Sequence, residues 1–233
     1  MDVNERVERV TSVAVGSDRA VKPWWVLTTC CLAIFLIGLN TTAINAAVTQ
    51  IADDLALGAT TLAFAINAYL LGVAIFVMPA GKAADVLGIA NVFLIGLAVF
   101  AVGSLLIALA EGAPALIGGR MMQGAGSAFL MPASMSAIRL AFPPERRATA
   151  LGIWGAIVGV AFAVGPLFGG AWTDAVSWRG IYWSDFVVIA VTVALTLVSL
   201  RSLPRPGGAR LDLIGGTLMG ASILLLVLAA QYG

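Results

Sequence analysis

Several polar side chains recur at helical spacing inside a strongly apolar part of the sequence. Arg120 and Gln123 are three residues apart, and Ser127 and Met131 follow at intervals of four, so one helical face would carry all of them. An arginine inside a membrane costs on the order of a few kcal/mol, and it usually faces a cavity or a polar partner. This face is therefore suited to line a polar path, and the flexible side chain of its methionine can adapt to different molecules. A structural role, in which Arg120 bonds a helix end or extends outward, is the alternative.

A second set of polar residues occupies an earlier apolar stretch. Thr41 and Asn45 are four residues apart and share a helical face, whereas Asn40 points about 100° away from Thr41. Such side chains can bond a transported molecule or bond neighbouring helices, and the sequence leaves both roles open. In the next apolar stretch, Asn67 and Tyr69 are further candidates for lining a path.

The residues that most enzyme and metal chemistry needs are missing or badly placed. The chain has no histidine, and its two cysteines, Cys30 and Cys31, are adjacent within an apolar stretch. Neighbouring cysteines cannot form an ordinary disulfide, and two thiols alone make a poor metal site. We therefore expect no cofactor, no metal site and no enzymatic activity.

The composition indicates an integral membrane protein. Hydrophobic residues make up 61% of the 233-residue chain, charged residues make up 11%, and the mean hydropathy is +1.01. A soluble domain carries about 25% charged residues, so this chain has too few charges to cover a water-facing surface. Its net charge of +1 argues against a nucleic-acid partner, which a basic stripe would bind.

Seven apolar segments are long enough to cross a bilayer as helices, which takes about 20 residues each. They run approximately over residues 24–48, 59–80, 91–110, 114–140, 149–173, 181–200 and 213–230. The stretch 201–212 is rich in proline, glycine and arginine, as is typical of a linker. We predict an all-α integral membrane protein with a tail at 1–23, a six-helix bundle at 24–200, the linker, and a seventh transmembrane helix at 213–233.

The positions of the basic residues predict the orientation. With the N-terminus in the cytoplasm, eleven of the 13 Lys and Arg residues lie in cytoplasmic segments, while Arg179 lies outside and Arg120 lies within the fourth segment. Basic residues concentrate on the cytoplasmic side of membrane proteins, so this topology is strongly favoured. We expect a multi-pass protein of the plasma membrane with a cytoplasmic N-terminus.

Four short motifs occur in a characteristic order along these segments. They are LNTTAIN at 39–45, GKAADVLG at 81–88, GRMMQGAG at 119–126 and GPLFGG at 165–170. In order and spacing they resemble the signature motifs of the major facilitator superfamily, and the closest similarity is to its fourteen-helix drug:proton antiporters. Each motif is weak alone, but the ordered set is specific and spans residues 39–213.

The resemblance implies the N-terminal half of a secondary transporter that exports small hydrophobic or cationic molecules. It implies a role in proton coupling for Arg120. It also implies a gating loop between the second and third segments, formed by Gly81, Asp85 and Gly88, whose glycines permit a tight turn.

Three positions depart from the family pattern. The family normally has Asp at the position of Asn40, and an amide cannot titrate, so proton coupling there is in doubt. It usually has Asn at the position of Asp185, which can pair with Arg120 or relocate the missing carboxylate. Since the sixth segment is peripheral in the family fold, we instead expect Asp185 to extend toward the outer surface. The loop also lacks the family's basic residues after Asp85, which predicts a weakened gate.

The fifth segment is rich in small residues that let helices approach closely. These residues and the proline among them are Gly155, Gly159, Gly165, Pro166, Gly169 and Gly170. By resemblance, this face packs against the second half of a transporter.

Transporters of this family hold their substrate between two six-helix halves. This chain spans one half and one further helix, so we expect a truncated or split transporter, a half that pairs with itself or with another chain, or a remnant. The favoured function is part of an exporter of the proton-antiport type. The alternative is a non-transporting membrane subunit that binds a partner through its fifth segment.

Overall fold

The computed structural model describes residues 22–203 and Ser222, and residues 22–203 contain seven α-helices and a 3₁₀ turn but no strand. The helices are α1 (Pro23–Ala46), α2 (Val48–Asp54), α3 (Ala59–Leu87), α4 (Ile89–Ala108), α5 (Ala113–Ala141), α6 (Pro144–Ala175) and α7 (Arg179–Ser199), and the turn is Leu200–Ser202. The prediction of an all-α fold is confirmed, with long helices at the first six apolar segments. The predicted seventh helix, the N-terminal tail and most of the linker lie outside the described residues.

Five of the described helices are long and apolar enough to cross a membrane, and α5 is not among them. Although α5 has 29 residues, it carries Arg120, Gln123 and Arg139 and is therefore less apolar. Arg120 and Gln123 are buried, because α5 packs against α3, α4 and α1. Polar residues are tolerated in a spanning helix where protein rather than lipid surrounds them. The polar character of α5 thus reflects its interior position.

Contacts at the two ends show that the long helices run up and down through the bundle. At one end, the ring of Trp24 at the start of α1 lies 5.6 Å from that of Phe142 just after α5. Near the same end, the hydroxyls of Thr29 and Ser199 are 2.9 Å apart. At the opposite end, the Gln50 amide donates to the carbonyl oxygen of Thr173 at 3.3 Å. Helices α1 and α6 therefore run in one direction, and α5 and α7 run in the opposite direction.

Facing glycines bring α5 close to α4. A methyl group added at Gly103 would lie 2.7 Å from the carbonyl oxygen of Gly119, and one added at Gly119 would lie 2.8 Å from the carbonyl oxygen of Gly103. The same reciprocal contact joins Gly96 and Gly126, at 3.0 and 2.7 Å. Small residues of this kind permit the backbone approach that stabilises helix pairs in membranes.

The predicted gating loop is wrong as a loop. Helix α3 continues through Gly81 to Leu87, and the chain turns only at Gly88, which has φ 82° and ψ 148°, before α4 begins at Ile89. Gly88 needs the conformational freedom of glycine, whereas a methyl group at Gly81 would meet no described atom within 4 Å. The Lys, Ala and Leu residues of 81–87 favour helix, which explains the continuation. The side chain of Asp85 lies outside the described part of the chain.

The small residues of α6 divide between two environments. Gly165 and Gly169 are buried against α1, where added methyl groups would lie 3.1 Å from the oxygen of Leu39 and 3.0 Å from the Cα of Ala43. For these two glycines the predicted interhalf contact is wrong, because they pack within the bundle. Added methyl groups would meet no described atom within 4 Å at three further positions, Gly155, Gly159 and Gly170. Pro166 is exposed within the continuous α6.

Arg179 links three elements at the end of the bundle where α7 begins. Its guanidinium forms a hydrogen-bonded ion pair with Asp54 at the end of α2 and donates to the carbonyl oxygen of Ala110 at 2.7 Å. It also lies 4.4 Å from the ring centroid of Trp178, whose Nε1 donates to Asp54 at 3.1 Å. The hydrogen bonds from Arg179 and Trp178 lower the pKa of Asp54.

The lowered pKa of Asp54 predicts a loss of stability in acid. Its ionised form stabilises the folded state fully above the usual aspartate range, near pH 4, and this contribution is lost as the pH falls through the lowered pKa. Because the pair is partly exposed, we expect a contribution of only about 0.2–1 kcal/mol. Thermal unfolding in detergent should show this acid step in the wild type and in Asp53→Asn, and a smaller step in Asp54→Asn. An equal step in all three would contradict the assignment.

Adjacent glycines of α5 provide a matched test of the packing. Gly119→Ala places a methyl group against α4 and should destabilise the bundle by about 1–3 kcal/mol through overpacking. Gly118→Ala, whose methyl group meets no described atom within 4 Å, should be neutral or slightly stabilising, because alanine favours helix. The comparison is the thermal midpoint of the two variants in the same detergent. Equal midpoints would mean that close α4–α5 contact does not hold the fold together.

Candidate functional site

Five polar side chains from four helices meet in the interior of the bundle. They are Asn40 of α1, Ser104 of α4, Arg120 and Gln123 of α5, and Asp185 of α7, and we call them the polar network. Each is at most 1% exposed. Since buried polar groups need hydrogen-bond partners, their mutual contacts decide whether the arrangement is stable.

Gln123 lies at the centre of the polar network. Its Nε2 donates to the Ser104 hydroxyl at 2.8 Å and has longer contacts to Asn40 Oδ1 at 3.3 Å and Asp185 Oδ2 at 3.4 Å. Its Oε1 accepts a hydrogen bond of 3.0 Å from Arg120 Nη1. One amide therefore contacts all four other members.

Asp185 is held by donors from α1, α4 and α5. Its Oδ1 accepts from Asn40 Nδ2 at 2.7 Å, and its Oδ2 accepts from the Ser104 hydroxyl at 2.7 Å in addition to Gln123. The expectation that Asp185 extends toward the outer surface is wrong. Because α7 packs against both α4 and α1, this side chain reaches inward, where it finds these three donors.

Arg120 does not pair directly with Asp185. Its Nη1 donates to Gln123 and, at 3.4 Å, to the backbone oxygen of Asn40, so two amide residues stand between the opposite charges. Its guanidinium carbon lies 4.6 Å from the ring centroid of Tyr69, a cation–π arrangement. Its Nε is buried without a hydrogen-bond partner among the described residues. The guanidinium thus has donor capacity to spare.

A chain of hydroxyls continues from the polar network along α5. The Tyr69 hydroxyl of α3 lies 2.8 Å from that of Ser127, which donates to the backbone oxygen of Gln123 at 2.9 Å. The hydroxyl of Tyr182, on α7, is buried and has no hydrogen-bond partner within the described part of the chain. The site therefore extends over five helices.

The structure brings four of the predicted path residues together, places Thr41 beside them and leaves the other two exposed. Asn40, Tyr69, Arg120 and Gln123 belong to the network or contact it directly. Thr41 is half-buried, donates to the oxygen of Ile37 in its own helix at 2.8 Å and also contacts the side chain of Tyr69. Two further residues are exposed, Asn45 and Asn67. Their place on a substrate path stays a prediction.

Sequence reasoning missed Ser104 and discounted Asp185. Ser104 had a usable signal, because it is the only polar residue in the last three turns of the strongly apolar α4. Asp185 was visible as an acid inside an apolar segment, but its direction depends on how α7 packs. Neither distance along the chain nor hydropathy reports that packing.

The site is suited to holding charge and protons. No group of three or more His, Cys, Asp or Glu residues that could hold a metal occurs in the described part of the chain. Both cysteines are free thiols, and Cys30 is buried, with its Sγ 3.7 Å from the oxygen of Ser134. One cation, one carboxylate, two amides and hydroxyls can accept, donate and redistribute hydrogen bonds.

Comparison with known proteins identifies the family. Residues 30–230 match the family described as the Major Facilitator Superfamily. The chain belongs to this superfamily. The relatives and solved structures that the chain matches include proteins named as transporters, in agreement with the expectation that the chain has no enzymatic activity.

Relatives within the superfamily include named resistance proteins. The chain is 37% identical over 220 residues to the uncharacterized MFS-type transporter Rv1250 of Mycobacterium tuberculosis, covering 94% of this chain and 38% of that protein. It is 32% identical to the multidrug resistance protein Stp of the same species, covering 87% of this chain and 38% of the relative. It is 30% identical to the tetracenomycin C resistance and export protein of Streptomyces glaucescens, covering 88% and 38%.

Solved structures of the superfamily share the fold. The proton:xylose symporter XylE bound to 6-bromo-6-deoxy-D-glucose matches with a TM-score of 0.67 at 16% identity, covering 87% of this chain and 49% of that one. The peptide transporter POT in complex with sulfate matches with a TM-score of 0.65 at 15% identity, covering 89% and 45%. The chain thus spans less than half the length of these transporters and of the relatives above.

A double-mutant cycle tests whether the separated charges of this superfamily member depend on each other. Arg120→Met should leave Asp185 buried without its counter-charge and cost about 3–5 kcal/mol, and Asp185→Asn alone should also destabilise. The double variant should cost less than the two single costs combined, because no charge remains to compensate. Arg139→Met, at an exposed position of the same helix, is the control. Strictly additive effects in unfolding measurements would show that the two charges are not coupled.

Proposed function

We propose that the chain is the N-terminal half of a secondary active transporter that exports small hydrophobic or cationic molecules in exchange for protons. The relatives whose names include multidrug resistance and tetracenomycin C export support the substrate class. The resemblance to the fourteen-helix drug:proton antiporters supports the coupling ion.

The observation that carries this proposal is the burial of two opposite charges inside a membrane bundle. Arg120 and Asp185 are each 1% exposed. Asp185 lies on α7, one of the five helices apolar enough to cross a membrane, and Arg120 lies on α5, which packs against three other helices inside the bundle. Ionisable residues at such depth are costly, and they usually mark an ion or substrate pathway. A bundle selected for stability alone would gain by filling the same space with apolar side chains. We therefore assign the polar network to transport.

We propose a plasma-membrane location with the N-terminus in the cytoplasm. Five basic residues lie near helix ends on the side of the bundle where α1 begins. They are Lys82, Arg139, Arg146, Arg147 and Arg201. The opposite end has Asp53, Asp54, Glu111 and Asp174 beside Arg179. This distribution follows the rule that basic residues stay on the cytoplasmic side.

We further propose that a second bundle covers the exposed face of α6. In the most apolar stretch of this helix only 17% of residues are buried, the lowest share among the five spanning helices. Exposed apolar side chains stand beside the open glycines, including Val160 at 50% and Leu167 at 75%. The partner is a second half-transporter, either in the same polypeptide, in another chain or in a second copy. The same face also supports the alternative function, a non-transporting subunit that binds a partner through α6.

Export of a lipophilic cationic dye separates these functions. Proteoliposomes should contain the chain alone, or the chain with a second half encoded downstream of codon 233. We expect dye movement driven by an imposed proton gradient with the second half, and its loss when a protonophore collapses the gradient. Protein-free liposomes are the control.

Two results would contradict the proposal. Dye movement that ignores the gradient would remove proton coupling but keep export. No dye movement with either sample, while the second half still co-purifies with the chain, would favour the non-transporting subunit.

A further inference from the structure

We propose that Asp185 is the residue of this bundle that binds and releases the coupling proton, and that Asn40 and Asp185 act as one exchangeable carboxylate–amide pair. The inference rests on the proposed function, because it names the group that would carry the coupling. It assigns this role to α7, a helix that sequence reasoning placed away from the path.

Asp185 is distinguished from the other acidic residues by its location. Among the acidic residues whose side chains the structure describes, Asp185 alone is buried. The others are exposed at the ends of helices or between them, at Asp53, Asp54, Glu111, Glu145 and Asp174. A proton carrier inside the bundle therefore has one candidate carboxyl group in the described part of the chain.

The surroundings of Asp185 accommodate both its ionised and its protonated form. Ionised, its oxygens accept from Asn40, Ser104 and Gln123. On protonation, a hydronium ion gives its proton to one carboxyl oxygen, and the new O–H becomes a donor. The Ser104 hydroxyl can accept it, or the Asn40 amide can rotate to present its oxygen, since both groups donate and accept. Release returns the proton to water and restores the three acceptor contacts.

The protonation of Asp185 is coupled to the positive charge of Arg120. Arg120 faces Asp185 across Gln123. Two further buried titratable groups lie near them, Tyr182 of α7 and Tyr69 of α3, whose ring faces the Arg120 guanidinium. The other titratable and charged groups of the helices packed around Asp185 are the cysteines Cys30 and Cys31 of α1 and two arginines at helix ends, Arg139 of α5 and Arg179 of α7. When Asp185 is ionised, the charges of Arg120 and Asp185 balance. When Asp185 is protonated, the positive charge of Arg120 is uncompensated, so a cationic substrate nearby is disfavoured. By linkage, a bound cation favours proton release by the same factor.

Asn40 and Asp185 can exchange their side chains within the same hydrogen bond. Asn40 Nδ2 and Asp185 Oδ1 are 2.7 Å apart, and a carboxylate and an amide have nearly the same shape. Exchanging them places the acid on α1 and the amide on α7, with the same hydrogen bond between them. Gln123 contacts both Asn40 and Asp185, and Ser104 donates to Asp185. The site therefore keeps its hydrogen-bond donors after the exchange. The polar network would therefore hold one titrating carboxyl group after the exchange.

The test is a pH titration of the full 233-residue chain in lipid nanodiscs, followed by infrared difference spectroscopy of protonated carboxyl groups. The wild type should show a buried carboxyl signal that Asp185→Asn loses, a loss of one proton per chain. The exchange variant N40D/D185N should regain one proton, with a shifted band. Asp174→Asn, which removes an exposed acid, should keep the buried signal. Asp185→Glu, which retains a carboxyl group, should shift the band without losing it.

The outcomes separate this inference from the proposed function. A buried signal that persists in Asp185→Asn, or no such signal in the folded wild type, would overturn the proton-binding role whatever the dye assay shows. Failure of N40D/D185N to regain the proton would overturn the exchangeable pair. Proton binding that follows these expectations in a chain that exports no dye with a second half would leave the site established and the export function wrong. Circular dichroism of each variant verifies that it is folded.

Discussion

The bundle depends on compensating two opposite charges that are buried in an apolar interior. An ion moved from water into such surroundings loses solvation worth more than most single contacts supply, so its neighbours must replace that solvation. Arg120 and Asp185 meet this requirement indirectly. The Gln123 amide accepts from Arg120 and contacts Asp185, while Asn40 accepts from Arg120 at its backbone oxygen and donates to Asp185 from its side chain. Indirect compensation is weaker than a close ion pair. It leaves each charge responsive to a proton or a cation nearby.

This compensation is possible only because the helices approach closely. Amide and hydroxyl side chains are short, so Ser104 of α4 can reach Gln123 of α5 at 2.8 Å only if the two backbones nearly touch. The facing glycines Gly103 and Gly119 provide that approach directly beside the network, because they precede Ser104 and Arg120 in the sequence. On the other side of the bundle, Gly165 and Gly169 bring α6 against α1, which carries Asn40. Glycine packing and charge compensation are thus parts of one arrangement.

The sequence predicted the fold well because hydropathy and length suffice to locate membrane helices. It also found Arg120 and Gln123, whose polarity is conspicuous in an apolar segment. It failed where the answer depends on three-dimensional packing. The direction of Asp185 follows from how α7 lies against α4 and α1, and the contacts of Gly165 follow from the approach of α6 to α1. The glycines and charges of residues 81–88 resemble a turn and predict a loop, whereas helix propensity extends α3 to Leu87.

The position of a carboxylate matters less than the network it belongs to. Considered one position at a time, Asn40 is a lost acid and Asp185 is an unexpected one. In space the two are a single hydrogen-bonded pair that still holds one acid and one amide. In this chain the charge that balances Arg120 therefore comes from α7, while α1 supplies the amide. A membrane interior constrains the sum of charges that it encloses, because that sum sets the solvation cost, and it leaves open which helix supplies each charge.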